Sequence, residues 1–398
     1  MKTIVKTRSA VVSLVLTATM VAWAPRRGAA QVSELPSAQS IFQVVPTPNE
    51  NFENELLAAS ASAPNDIWAV GQSTIHFDGT KWTAFPAPMI KGDNTSQLGG
   101  VADISPTEAW AVGTVNIGLA NPGQVIERWN GQQWSVFPGP HFQSGDQPSL
   151  TAMATISPDD IWAVGDLLAD GGELLEFLFE HWDGTSWTAT TLGSPDAFLF
   201  GASADATNDA WAVGFSGFEN ESSSTVTVHW DGTEWAIVSS PNVGQGANQL
   251  NAVLALAPDD AWAVGFSTPV PQAATLTLIE HWDGVSWTVV PSPNVGPNSG
   301  YQSNRLLGIT AVSSTDVWAF GSYFAANGSG HQMTLLLHWD GDTWSIVPSP
   351  NPTRGGFLSD LLWAGVVPSP DNVWIVGAED EAPHEGTLAI HATTGSQP

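Results

Sequence analysis

Seven times along this chain the phrase Trp-Ala-Val-Gly recurs, and that recurrence limits the fold more than any other feature. Its Trp falls at positions 68, 110, 162, 211, 262, 318 and 374, with Phe replacing Val in the sixth copy and Ile replacing Ala in the seventh. A second phrase, His-Trp-Asp-Gly-x-x-Trp, follows at 181–187, 229–235, 281–287 and 338–344, with looser copies at 76–82 and 128–134. Self-similarity at a period of 42 to 56 residues is the mark of repeated supersecondary units, each unable to bury its apolar surfaces alone.

Within one unit the pattern is that of strands. In the fifth, the segments 250–256, 261–266, 275–282 and 287–291 are short, rich in β-branched and aromatic residues, and bounded by Pro, Gly, Asn and Asp. No stretch of useful length carries helical periodicity. Successive apolar residues such as Leu335-Leu336-Leu337 and Val289-Val290 predict sheets covered on both faces. An all-β, seven-bladed β-propeller with four-stranded blades satisfies these requirements. The seventh unit supplies three strands and then the chain runs out. Gln43-Val44-Val45-Pro46-Thr47-Pro48-Asn49 copies Thr288-Val289-Val290-Pro291-Ser292-Pro293-Asn294, so the N-terminal segment is expected to complete the last blade and close the ring. The expected organisation is a leader at 1–30, a linker at 31–41 and one propeller domain at 42–398. Its blades are expected near 54–88, 97–139, 148–193, 197–240, 249–292, 304–349 and 357–391, the last joined by 42–48.

The leader has Lys2, Lys6 and Arg8 before an apolar run at 10–24, then Gly28-Ala29-Ala30. That is the layout of a secretory signal peptide, and the run is short for a membrane span. Arg26 and Arg27 after the run leave an uncleaved anchor as the alternative. Cleavage leaves five Lys and Arg against 39 Asp and Glu, a net charge of −34. Such a surface repels nucleic acid and anionic lipid, whose binding depends on basic side chains. The chain has no cysteine, which excludes disulfides and thiolate metal sites. No cofactor is expected, calcium being the ion that so acidic a chain could carry. The mature protein is expected to be monomeric and secreted or cell-surface.

Two turns in each unit are nearly fixed in length. Ser-Pro-Asp-Asp precedes the first Trp, as at 157–160, and Asp-Gly-Thr-Ser lies between the third and fourth strands, as at 183–186. The other two connections vary, and variable loops on a rigid frame are where binding concentrates. The order of aromatic-Asp turn, Trp four residues after the Asp, outer strand, inner strand and Trp-Ala-Val-Gly resembles the kelch and galactose-oxidase-type propellers. More loosely it is similar to the Asp-box propellers of sialidases. The resemblance spans residues 42 to 391 and implies a fold rather than an activity. Kelch units carry two adjacent glycines where this chain has one. Galactose oxidase needs a cysteine-linked tyrosine and copper, and this chain has no cysteine and only Tyr301 and Tyr323. Sialidases need an arginine triad and a tyrosine nucleophile, which Arg305 and Arg354 in variable connections do not make up.

The histidines at 76, 181, 229, 281, 338 and 391 share one strand position, with Arg128 in the second unit. Equivalent positions in a seven-fold ring lie too far apart to share an ion, so a repeated hydrogen-bonding role is expected. The Asp of each Asp-Gly turn is expected to form the turn, and so are the acids just before each Trp-Ala-Val-Gly. Of the 20 tryptophans, 18 obey the repeat and read as core; Trp23 lies in the leader, and Trp363 falls within an inner-strand region. Residues off the repeat are the better binding candidates. Tyr301, Arg305, Tyr323, His331, Arg354 and His384 fall in or beside variable connections, mostly of units six and seven. No nucleophile, metalloprotease or phosphate-binding motif is present. The reading is an exported, non-catalytic propeller that binds a glycan or extracellular protein on its variable loop face. The alternatives are a carbohydrate-active hydrolase or lyase using loop carboxylates, and a structural surface or matrix component.

Overall fold

A computed structural model describes residues 41–49, 54–90, 95–119, 122–169, 174–193, 196–218, 222–271, 273–296, 303–324, 331–352, 359–381 and 384–392. The leader read at 1–30 lies outside them. The described residues contain strands and turns but no helix, and so no helix long and apolar enough to cross a membrane. They form seven four-stranded antiparallel sheets, and in six of these the strands follow chain order. The seventh is completed from the other end of the chain. Blade five shows how closely the sequence pattern is followed, with strands Asn248–Ala257, Asp260–Ser267, Leu276–Trp282 and Trp287–Val289.

The closing strand, Gln43–Val44, pairs antiparallel with His384–Ala392, Gln43 opposite His391. That is the repeat's own register, since Thr288, the counterpart of Gln43, lies opposite His281. Side chains repeat it as well. The Asn49 side chain accepts a hydrogen bond from the Thr387 backbone amide at 2.8 Å, as Asn294 does from Thr277 at 2.9 Å and Asn351 from Thr334 at 2.7 Å. Phe42, one residue before the copied segment, is buried at 2% exposure and meets Trp318 of blade six edge-on at 5.3 Å.

The apolar core is not one mass. It divides into seven clusters, and each occupies the seam between two adjacent blades. The Trp of each Trp-Ala-Val-Gly faces the following blade. Trp162 packs on Trp230 and Trp235, and Trp211 packs on Trp282 and Trp287, at 4.9 to 5.2 Å between ring centroids. Offset and edge-on packing of this kind adds to the burial of area. The sequence repeats because the seam repeats.

The His-Trp-Asp-Gly turns form as expected. In blade three the Asp183 carboxylate accepts from the amides of Thr185 and Ser186 at 2.8 Å, and Gly184 takes φ of 86°. A hydrogen bond from the Thr185 hydroxyl, with those two amides, holds the Asp183 carboxyl down at about 2. The acids before each Trp-Ala-Val-Gly correct the sequence reading. They are hydrogen-bond partners of the strand histidines as well as turn residues: Asp66 with His76 at 2.6 Å, Asp160 with His181 at 2.8 Å and Asp209 with His229 at 2.6 Å. Blade two exchanges both members, Arg128 donating to Glu108 at 2.6 Å. Blade seven exchanges one, His391 meeting Asn372 at 2.5 Å. Each histidine also lies over its own blade's Trp, 4.4 Å from Trp162 for His181, and the Arg128 guanidinium takes the same place over Trp110 at 4.8 Å.

Candidate functional site at the propeller axis

The first strand of every blade carries a β-bulge at one position. Pairing with the second strand slips between Leu56 and Ala58, Leu98 and Gly100, Leu150 and Ala152, Leu199 and Gly201, Leu250 and Ala252, Leu306 and Gly308, and Leu362 and Ala364. The glycine of Trp-Ala-Val-Gly lies beside each bulge and leaves no space for a side chain. At Gly71 a Cβ would run into the Glu55 carbonyl, and the other six copies meet the equivalent carbonyl in the same way. A bulge re-aims a side chain. Here the extra residue in each blade is Leu57, Gly99, Thr151, Phe200, Asn251, Leu307 or Trp363, and all seven line an axial cavity of about 300 Å³.

The cavity is built in tiers. At the mouth stand Glu55, Gln97, Ser149, Phe198, Gln249 and Arg305, with Thr114, Asp166 and Phe266 behind them on second strands. The bulge residues come next. Below them each blade presents only Ala or Gly: Ala58, Gly100, Ala152, Gly201, Ala252, Gly308 and Ala364. Neighbouring blades approach closely there, since a Cβ on Gly201 would lie 2.8 Å from the Ala252 Cα. The lining ends on an apolar tier that includes Val101, Met153, Val253 and Ile309.

Mouth and bulge tiers are held by contacts between blades. The Arg305 guanidinium lies 4.5 Å over the Phe266 ring of blade five, a cation–π contact. Asn251 donates to the Leu306 carbonyl at 2.7 Å, and Thr151 to the Leu199 carbonyl at 2.9 Å. Each of these two polar bulge residues thus ties its blade to the next. Gln249, 3% exposed, donates from Nε2 to Asn251 Oδ1 at 2.7 Å, while its Oε1 has no partner among the described residues. Trp363 Nε1 is likewise without one. Phe200 stacks on Phe215 at 5.6 Å and 17°.

The residues singled out from the sequence are dispersed. Arg305 stands within the first strand of blade six, Asn304–Ser313, rather than in a connection, and it lines the cavity. Tyr323 is half-buried on the adjacent strand, opposite Asn304, and burial raises its phenol above the ordinary value. His331 is half-buried just ahead of the third strand of that blade. Tyr301 and Arg354 lie outside the described residues, and His384 begins a strand whose first side chains are not described. Trp363, Phe200, Gln249 and Glu55 were not among the candidates. A signal for the bulge residues existed in the pattern Leu-x-Ala or Leu-x-Gly: seven inner strands agree on both flanks and differ only at the middle position.

Other titratable clusters lie in the blade seams. Glu127, Glu180 and Glu280 occupy one third-strand position, are fully buried, and reach towards the preceding blade. Burial pushes Glu127 up to about 7 and Glu180 and Glu280 to about 8. Asp103 is raised to about 8 by burial and by the neighbouring Asp66 charge. Among the described residues no three metal-ligating side chains converge.

No family model and no curated protein matches this chain. Solved structures do match, and they share its fold. YCF48 bound to a D1 peptide is 14% identical with a TM-score of 0.54, over 92% of this chain and 100% of that one. An ulvan lyase, a polysaccharide lyase bound to a GlcA(1-4)Rha3S saccharide, is 11% identical with a TM-score of 0.59, over 88% and 96%. The extracellular domain of a protein described as a putative hybrid two-component system from B. thetaiotaomicron is 11% identical with a TM-score of 0.54, over 88% of this chain and 39% of that one. At these identities the likeness is one of fold: this chain is a seven-bladed β-propeller.

Proposed function

We propose that the protein is an exported, non-catalytic binding propeller that takes a glycan or an extracellular protein at the variable-loop end of its axis. The observation that carries this reading is the axial cavity, whose mouth joins a flat-held arginine, amide side chains and aromatic rings. Concave sites that combine apolar walls with a few convergent polar groups are the usual form of ligand sites. The fold neighbours are compatible with it: one is bound to a peptide, one to a saccharide, and one is an extracellular domain. On this reading Arg305 meets the ligand from the cavity lining, and Tyr323 and His331, with Tyr301, Arg354 and His384, are proposed as further ligand contacts.

A hydrolase or lyase is the second reading, favoured by two carboxylates, Glu55 and Asp166, lining the same cavity. Against it, the described lining holds no His, Tyr or Lys to serve as a stronger base. Incubating the purified chain with polysaccharides and peptides, and following both retention and product release, separates the two. Retention without cleavage is expected. Replacing Tyr301 and Arg305 together by Ala should abolish retention and move the melting temperature by no more than a few degrees. Product release that disappears with Glu55→Gln or Asp166→Asn would overturn the non-catalytic reading.

A further inference from the structure

The ring of bulge residues narrows the class of ligand that the cavity accepts, an inference that rests on the binding reading above. Blades four and seven contribute its two aromatic side chains, Phe200 and Trp363. Three blades apart one way and four the other, they approach the axis from opposite sides. Phe200 is fixed by its stack on Phe215. The polar bulge residues are already engaged, Asn251 and Thr151 each on a carbonyl of the next blade. Among the groups that line the cavity, the buried acceptor Gln249 Oε1 and the buried donor Trp363 Nε1 have no partner among the described residues. A buried polar group left unpaired costs free energy, and a ligand that satisfies it recovers that cost. A hydroxyl does both jobs, since it donates and accepts.

Charge and size narrow the choice further. Among the described residues of the lining Arg305 is the only Lys or Arg, and it shares that lining with Glu55 and Asp166, on a chain whose net charge is strongly negative. A polyanion is therefore disfavoured on approach. A volume of about 300 Å³ lies at the small end of ligand sites, which suits the end of a polymer rather than its middle.

We propose that the axial cavity binds the terminal ring of a neutral saccharide. The ring stacks against Trp363, a hydroxyl donates to Gln249 Oε1, and a sugar oxygen accepts from Trp363 Nε1. A peptide end is the rival occupant, and it lacks the rigid C–H face that an indole matches.

The test uses the full chain on immobilised cellulose, mannan and galactan, with polygalacturonate, a sulfated galactan and a peptide library alongside. Retention on at least one neutral polymer is expected, displaced by the matching monosaccharide or disaccharide. Trp363→Ala should weaken it at least tenfold. Trp363→Phe keeps an aromatic ring but loses the indole N–H and part of the stacking face, so it should weaken retention about three- to tenfold even if the Ala variant fails to fold. Wild-type affinity of a folded Trp363→Phe and Trp363→Ala pair overturns the assignment of this cavity. Retention on acidic polymers or peptides alone overturns the neutral-sugar class and keeps the binding reading. No retention on any of them overturns both.

Discussion

The seam glutamates set a pH dependence that single residues control. Glu127, Glu180 and Glu280 have folded-state values of about 7 to 8, well above the ordinary 4.5, because burial disfavours their charged forms. Below pH 4.5 they are protonated in both folded and unfolded chains and carry no penalty. As pH rises from there, the unfolded chain ionises first and stability falls, levelling off only above about pH 8. Their effect should appear as a melting temperature that declines from about pH 5 to about pH 8. At about pH 8, Glu180→Gln should raise stability by roughly 2–3 kcal/mol, since a tenfold change in a protonation equilibrium corresponds to about 1.4 kcal/mol and the buried side chain keeps some of its solvation. A variant no more stable than wild type across this range would show that these carboxyls ionise in place. The three positions were readable as third-strand residues of the repeat. Their burial was not, because which neighbour covers a face is a tertiary fact.

At the scale of elements, the bulged first strand is the unit that matters. Its Leu is buried in a seam, its third residue is held to Ala or Gly by the approach of the next blade, and the residue between them is aimed at the axis. Gly265→Ala would place a Cβ against the Gln249 carbonyl and force the strand to straighten or shift. A loss of about 2 kcal/mol or more is expected in thermal or denaturant unfolding, as for other overpacked sites. Little change would mean that the glycine is not what makes the bulge. The histidine–acid pairs make a complementary point. The sequence showed acid and base recurring at fixed positions, but the acids read as turn formers because their partners lie 10 to 22 residues away on the third strand. Only strand pairing brings them together.

For the whole molecule, closure is the decisive contact. Phe42→Ala empties a buried site between the N-terminal segment and blade six, and should cost about 3–5 kcal/mol. Deleting residues 31–49 removes that side chain, the closing strand and the Asn49 cap, and exposes the edge of His384–Ala392. Aggregation or a large fall in melting temperature is expected, and an unchanged melting curve would refute closure. Blade count, strand order and the closing register were all legible in the sequence. They are repeated local patterns, and each copy confirms the others. The axial cavity was not legible in that way. Its lining gathers one variable residue from each of seven units, from Leu57 to Trp363, and no local pattern records which side chains a bulge turns inward. The sequence by itself determined the ring, because every seam needs the same apolar faces and turns. Only the tertiary structure decided what stands at the centre of that ring, because there seven strands converge and a bulge beside one glycine per blade turns the following residue inward.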